Sequence, residues 1–326
     1  RHISKRGSST LRKACYEVMQ ALKLTKPQDD PVYLFMLKKI LPALLLASAL
    51  SYGSDIIETY RKRGIDAAVN EIEKTLATKA YWREYLKNHD TTFGFYEADK
   101  YIIITDKSKP EVQLFSYKNN KLTHINKAKA IVGGQKGDKL KQGDFKTPTG
   151  SYDFINKLAK LPPLYGPFAY ATDYPNLYDI VNKKEGNGIW LHGKPYDNNR
   201  EPSTKGCVVV DNDYLSSLDQ KIDYKKTVLI IDDKQLPKTS KDDIAVILSS
   251  MFQWKDAWEA NDLGKYLDFY DEKFKRFDGM DKKAFSAYKQ RIFAKKEAKR
   301  IVFREFEVTP NPTSTGEQIF KVKFYE

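Results

Sequence analysis

Hydrophobic positions change their period along the chain, and each change marks a segment. Residues 54–91 carry apolar side chains at helical spacing: Ile56, Ile57 and Tyr60, then Ile65, Ala68, Val69, Ile72 and Leu76, with a break at Gly64. Apolar residues three and four apart line one face of a helix, so two or three amphipathic helices are predicted here. From Thr92 the apolar runs become short and β-rich. "YIIITD", "VQLFSY", "LTHI" and "AIVGG" read as strands, and "KNNK" between the second and third as a hairpin turn, because asparagine tolerates positive φ. "GDFKTPTGSYDF" reads as two strands punctuated by Pro148 and Gly150, and "KLPPLYGPFAYATDYPN" as loop. "GIWLHG" and "STKGCVVV" each hold a strand next to a turn, and "TVLIIDD" closes a mostly β domain over residues 92–233.

The polar, proline-containing "KQLPKTSKDD" at 234–243 is the expected linker. Beyond it, "IAVILSSMFQWKDAWEANDLGKYLDFYDEKF" has the spacing of two amphipathic helices, with aromatics at Phe252, Trp254, Trp258, Tyr266, Phe269 and Tyr270. Strands are predicted in "KRIVFREFEVTP" and "QIFKVKFYE". Helices followed by strands make a small α+β domain over 244–326. Its pattern "W..A....DL..Y..FY...F" resembles the nuclear transport factor-like fold. An aromatic stripe of this kind reads as core before it reads as a ligand pocket. The sequence stops within a strand pattern, so the last part of this sheet is expected to be missing.

Residues 36–53 follow neither period. Met36 and the pair Lys38 and Lys39 precede an apolar run from Ile40 to Leu50, and small residues Ser51 and Gly53 follow. The order basic, apolar, small is that of a secretory signal peptide. The run is shorter than the ~20 residues that span a bilayer, so the mature protein is expected to be exported without a stable membrane span. A signal beginning at Met36 leaves residues 1–35 in front of it. Their "RHISKRGSSTLRKACYEVMQALK" resembles the C-terminal part of an insertion-sequence transposase, which implies a fusion or misplaced start and nothing enzymatic.

Composition bounds the function. With 41% hydrophobic and 30% charged residues in 326, the chain is globular and long enough for two domains. The net charge of +13 is spread over all segments, which suits a solvated surface or attraction to a polyanion such as nucleic acid or cell wall. Of two cysteines, Cys15 precedes the expected cleavage site and Cys207 follows it. A single thiol in an oxidising compartment is either a buried structural residue or a reactive one. Gly206 before Cys207 permits close backbone approach, and the amides of Gly206 and Cys207 at a loop-to-strand junction suit an oxyanion. A thiol with pKa near ~8.5 needs a base or a positive field at neutral pH. His192 ends the strand "GIWLH", where it can face the start of the next strand; His2, His89 and His124 have no partner motif. Trp190, Ser203, Thr204 and Lys205 complete the candidate substrate-binding group. One His and one Cys fall short of a zinc ligand set, and neither HExxH nor CxxC is present, so no metal and no cofactor is expected.

"GDFKTPTGSYDF", "YPNLY", "GIWLHG" and "STKGCVVV", in this order, resemble the L,D-transpeptidase catalytic domain over roughly residues 95–233. With the helical preface and the C-terminal domain, the chain is similar to the cell-shape L,D-carboxypeptidases of helical epsilonproteobacteria such as Helicobacter and Campylobacter. The resemblance implies an L,D-transpeptidase-like β fold acting on peptidoglycan muropeptides, at a stem-peptide diaminopimelate followed by D-alanine. It implies Cys207 as nucleophile, His192 as general base and the Gly193 carbonyl as orienter of the imidazole. It also implies no nucleic-acid partner for the mature protein, and leaves the oligomeric state open. The family's usual run is Ser or Thr, His, Gly, Cys, apolar, Arg; here Lys205 stands for the histidine and Val209 for the arginine. These departures favour hydrolysis over amine transfer, so the expected activity is an L,D-carboxypeptidase that trims tetrapeptide stems. An L,D-transpeptidase and a non-catalytic wall-binding module are the alternatives. Lys205 either points inward, toward the thiol or a substrate carboxylate, or lies on the surface.

Overall fold

A computed structural model describes residues 55–196, 202–234, 236 and 238–326. Residues 1–35 with Cys15 and the expected signal segment 36–53 lie outside the described residues. Among the described residues no helix is long and apolar enough to cross a membrane. The chain divides into two compact units at Lys74/Thr75. In the first, helical residues 55–63 are followed by helix α1 (Ile65–Leu76), with Gly64 at φ 82° between them. A positive φ is cheap for glycine, and the predicted break falls there.

The second unit begins with α2 (Lys79–Tyr85), capped by Thr78, whose hydroxyl accepts from the Tyr81 amide. The helix seats Trp82 against Phe252, with ring centroids 5.7 Å apart, on α5 (Lys241–Glu259). Arg83 pairs with both carboxylate oxygens of Asp242 at 2.7 Å. Strand β1 (Phe95–Tyr96) then pairs with β10 (Arg304–Asn311), which pairs with β11 (Ile319–Tyr325) in a three-stranded antiparallel sheet. Thus α2, from the expected helical segment, and β1, whose residues fall within the expected 92–233 catalytic domain, build the C-terminal domain. Their large apolar side chains find their burial there, in a core with Leu86, Phe95, Leu248, Phe252, Phe306 and Val308.

The larger sheet has eight strands in the order β4-β3-β2-β9-β5-β6-β7-β8. They are β2 (Lys100–Asp106), β3 (Glu111–Lys118), β4 (Lys121–Lys129), β5 (Gly150–Leu158), β6 (Ala169–Thr172), β7 (Trp190–His192), β8 (Val208–Val209) and β9 (Thr227–Asp232). The pairs β2·β9 and β7·β8 are parallel and the others antiparallel. The β3–β4 hairpin turns at Asn119 and Asn120 with φ 49° and 63°, as its sequence predicts. Continuous apolar runs in β2 and β9 have a cause: both faces are covered. Ile103, Leu229 and Ile231 face one core, while Ile102, Ile104, Val228 and Ile230 face the other. The sheet curls until its two ends meet, because the segment after β4 bonds to β8 through Ile131 and Val209, N–O 2.8 and 2.9 Å.

Several local expectations change. "AIVGG" makes isolated bridges, Ile131 to Val209 and Gly133 to Thr204, and no full strand. Only the second half of "GDFKTPTGSYDF" is a strand; the first half is an irregular turn organised by Asp144, which accepts from the amides of Leu140, Lys141 and Lys146. The expected linker is anchored: Leu236 is buried beside Ile230, the Thr239 amide donates to the Thr92 carbonyl, and Ser240 already caps α5. Helices α3 (Leu177–Val181), α4 (Asn212–Asp219) and α7 (Lys282–Phe293) were not legible in the pattern, whereas α6 (Leu263–Asp268) continues the expected pair. The aromatic stripe is core except for Phe269, which is exposed. Tyr266 is buried at the meeting of α5, α6 and α7, where Trp254 Nε1 donates to Tyr270 Oη and Tyr270 to Tyr266.

The two sheets are joined by charge and hydrogen bonds. Lys321 lies 2.7 Å from Asp153 and 3.0 Å from Asp173, and Lys323 lies 3.2 Å from Asp153 and 3.0 Å from Glu307. The Ser151 amide donates to Asn311 Oδ1 at 2.9 Å, and the Ser151 hydroxyl to the Pro310 carbonyl.

Candidate active site

Parallel pairing of the two shortest strands of the larger sheet creates the site. Leu191 opposes Val208 and His192 opposes Val209, which sets His192 at the end of β7 beside the strand that Cys207 begins. Strands this short hold because Leu191, Val208 and Val209 are fully buried.

His192 is 2% exposed, and its Nδ1 lies 2.8 Å from the Gly193 carbonyl oxygen. A carbonyl can only accept, so Nδ1 carries the hydrogen and the neutral ring holds its lone pair on Nε2. The same peptide unit is fixed on its other side, where the Lys194 amide donates to Asn212 Oδ1 at 2.8 Å and Asn212 Nδ2 donates back to the Lys194 carbonyl at 3.1 Å. The Gly193 amide donates to the Tyr165 carbonyl at 3.1 Å. Gly193 is required here because a Cβ would collide with Asn212 Oδ1. The ring of Tyr165 stands edge-on to His192 with centroids 5.0 Å apart, and lies the same distance from Trp190.

Cys207 is half-buried, and its Sγ donates to the Gly188 carbonyl at 3.4 Å. Thr204 shapes the turn before it. The Thr204 hydroxyl donates to the Cys207 carbonyl at 2.7 Å and accepts from the Gly206 amide at 2.9 Å. Backbone bonds from the Thr204 amide to Val132 and from the Gly134 amide to Thr204 hold the turn against the preceding segment. Gly206 has φ 137°, and a Cβ there would sit 2.8 Å from the Lys146 carbonyl oxygen and 2.9 Å from Ile189 Cδ1.

The candidate residues therefore separate. His192, Gly193, Cys207, Thr204 and Gly206 converge through the β7·β8 pairing, with Trp190 at the start of β7. One expectation is corrected: the Gly206 amide is bonded to Thr204, so it is not offered to an oxyanion. A turn that must hold φ 137° spends its own donor on closing itself. Lys205 is exposed, the surface alternative, and Ser203 is half-buried against Gly134. Val209 is buried in the pairing with Ile131 and His192, so its role is structural. Tyr165, Asn212 and Gly188 were missed by sequence reasoning. Asn212 lies just beyond the strand that Cys207 opens, but neither its spacing nor its type announces that it reaches back to Lys194.

Comparison with known proteins gives concordant findings. The L,D-transpeptidase catalytic domain matches residues 100–230, and the Cds6 C-terminal NTF2-like domain matches residues 246–326. The crystal structure of the helical cell shape determining protein Pgp2 from Campylobacter jejuni is similar at 37% identity and TM-score 0.73, covering 76% of this chain and 88% of that one. A point mutant of that Campylobacter protein is equally similar, with 37% identity, TM-score 0.73, and 77% and 88% covered. Bd1075 from Bdellovibrio bacteriovorus is similar at 28% identity and TM-score 0.51, covering 73% of this chain and 90% of that one. No curated protein matches.

Proposed function

The chain belongs to the L,D-transpeptidase family, in company with the cell-shape determinant Pgp2, and from that premise we propose that it is a peptidoglycan L,D-carboxypeptidase that removes the terminal D-alanine from tetrapeptide stems. The observation that carries the reading is the β7·β8 pairing, which brings a histidine seated on the Gly193 carbonyl beside the strand opened by Cys207. In the proposed reaction His192 Nε2 takes the thiol proton, and Cys207 Sγ attacks the diaminopimelate carbonyl carbon. Collapse of the tetrahedral adduct breaks the amide bond, and the proton on His192 passes to the departing D-alanine nitrogen. Water, deprotonated by the same Nε2, then cleaves the thioester to a tripeptide carboxylate and restores the thiol. With the Gly206 amide bonded to Thr204, the Cys207 amide is the donor assigned to the oxyanion.

Two features favour water as the acceptor. Lys205 is exposed where the family's run carries a histidine, and Val209 is buried in sheet pairing where that run carries an arginine. The groups that would seat an acceptor amine are thereby absent from those two positions. The proposed domains are a catalytic domain over residues 92–233, less β1, and an NTF2-like domain over 244–326 to which α2 and β1 contribute, with 36–53 as signal peptide. Peptidoglycan lies outside the cytoplasm, and the proposed location is the periplasm, where trimming of stems would control cell shape.

Mass spectrometry of muropeptides incubated with the protein and with Cys207→Ala tests the reading. Tripeptide formed only by the unaltered protein is the expected result. New diaminopimelate-to-diaminopimelate dimers would replace the reading with L,D-transpeptidation. Binding without any product would make the domain a recognition module.

A further inference from the structure

Between β6 and β7 the chain runs through seventeen residues, 173–189, whose last two press on the nucleophile: the Gly188 carbonyl accepts from Cys207 Sγ, and Ile189 Cδ1 fills the space beside Gly206. A second turn, residues 138–149, reaches the same spot through the Lys146 carbonyl. One cation ties these two segments together. Lys184 Nζ lies 2.7 Å from Asp138 Oδ2 and 2.8 Å from Asp179 Oδ1, and the three side chains are 4%, 5% and 1% exposed. Both are close contacts between opposite charges. Burial acts to lower the Lys184 pKa, but the two carboxylates outweigh it and hold the ammonium charged.

Each carboxylate anchors a different segment. Asp138 Oδ1 accepts from the Thr149 amide at 2.8 Å, which closes the 138–149 turn onto β5. Asp179 closes the capping box of α3 with Asn176, whose Nδ2 donates to the Ser151 carbonyl at 3.1 Å. The backbone repeats the tie one residue on, where the Glu185 amide donates to the Leu140 carbonyl at 2.9 Å. Only three residues separate Lys184 from Gly188, too short a stretch to absorb a shift at one end without passing it to the other.

We propose that Lys184 is a positioning residue for Cys207: its ion pairs with Asp138 and Asp179 lock the two segments whose carbonyls confine the thiol turn. The proposal concerns the nucleophile and so rests on the reading of Cys207 as the reacting group. A buried ion pair is weak evidence for stability as such, since an apolar triad of equal volume often serves as well. Its use here is to hold one geometry.

The test compares Lys184→Met, and the charge-free triad Lys184→Met/Asp138→Asn/Asp179→Asn, with the unaltered protein. The triad keeps the acceptors for Thr149 and Asn176 and leaves no buried carboxylate unpaired, so it remains folded if the single variant does not. The deciding readout is the pH profile of Cys207 alkylation by iodoacetamide in the folded protein, read at the modified peptide. The half-point is expected to move by about one pH unit from that of the unaltered protein. On a tetrapeptide stem, kcat is expected to fall about ten- to hundredfold with KM held within about twofold. Coincident alkylation profiles for the folded triad and the unaltered protein overturn the proposal, whatever the melting temperature does. If the unaltered protein releases no D-alanine, the hydrolase reading fails, while the alkylation profile still decides the role of Lys184.

Discussion

Substituting alanine at Gly206 separates two costs that the structure places at one residue. The backbone cost comes from φ 137°, a conformation left to glycine, at about 1–3 kcal/mol. The packing cost comes from the new Cβ, which meets Ile189 Cδ1 at 2.9 Å and the Lys146 carbonyl oxygen at 2.8 Å. The isoleucine methyl can rotate away, but the carbonyl belongs to a turn pinned by Asp144, so overpacking adds about 1–3 kcal/mol. Gly279 supplies the control, because it also has a positive φ, 86°, with nothing within 4 Å of a built Cβ. Gly279→Ala is expected to cost about 1–2 kcal/mol through the backbone alone. The expected total for Gly206→Ala is about 2–6 kcal/mol. At about 1.5–2 °C per kcal/mol for a chain of this size, its melting temperature falls by about 3–12 °C and that of Gly279→Ala by about 1.5–4 °C. Differential scanning calorimetry checks the ordering, and D-alanine release checks the site, since a turn that relieves the clash displaces Cys207. Equal losses of melting temperature in the two variants, with unaltered turnover by Gly206→Ala, would refute the close approach of Lys146 and its role in holding Cys207.

Asn212→Ala removes two hydrogen bonds to Lys194 and frees the peptide whose carbonyl holds His192 Nδ1. Steady-state kinetics should record a fall in kcat with KM little changed, alongside a stability loss of about 1–3 kcal/mol in urea unfolding. Burial acts to raise the Asp144 pKa, yet the bond from Lys139 and the amides of Lys141, Leu140 and Lys146 hold the carboxyl well below its usual range. A depressed folded pKa gives stability that is complete above the unfolded value of about 3.9 and is lost as pH falls toward the folded one. The melting-temperature gap between the protein and Asp144→Asn should therefore be full at about pH 7 and shrink below about pH 4; a gap independent of pH would contradict the assignment. Lys321→Ala removes the half-buried cation that joins β11 to Asp153 and Asp173, at about 1–2 kcal/mol after allowing for solvent screening. Limited proteolysis should find the C-terminal domain more easily separated, and an unchanged cleavage pattern would make these contacts incidental.

The site was legible where chemistry and strand patterning coincide in a short stretch. "GIWLHG" and "STKGCVVV" each join an apolar strand to a functional residue, and parallel pairing of those strands brings the two together. Residues that act through the backbone were not legible. Gly188 contributes a carbonyl, which every residue type has, and Asn212 acts by its reach across seventeen intervening residues to Lys194. The oxyanion assignment to Gly206 failed for a related reason: whether an amide is available depends on what else the turn bonds to, and Thr204 took it.

The sequence by itself determined the mostly β catalytic domain, the α+β domain behind it, and His192 and Cys207 as the candidate pair for the proposed chemistry. Periodicity and turn chemistry are local properties, set by sterics within a few residues, so they survive without the fold. Tertiary structure alone decided that β1 and α2 join the C-terminal domain, because an apolar strand or helix face specifies that it must be buried and not against what. It alone decided that Lys184 sits between two aspartates five and forty-six positions away. A lysine in a loop of "VNKKEGNG" reads as surface, and its burial follows only when α3 and the distant 138–149 turn bring carboxylates to meet it, since a charge leaves water only where opposite charge is already in place.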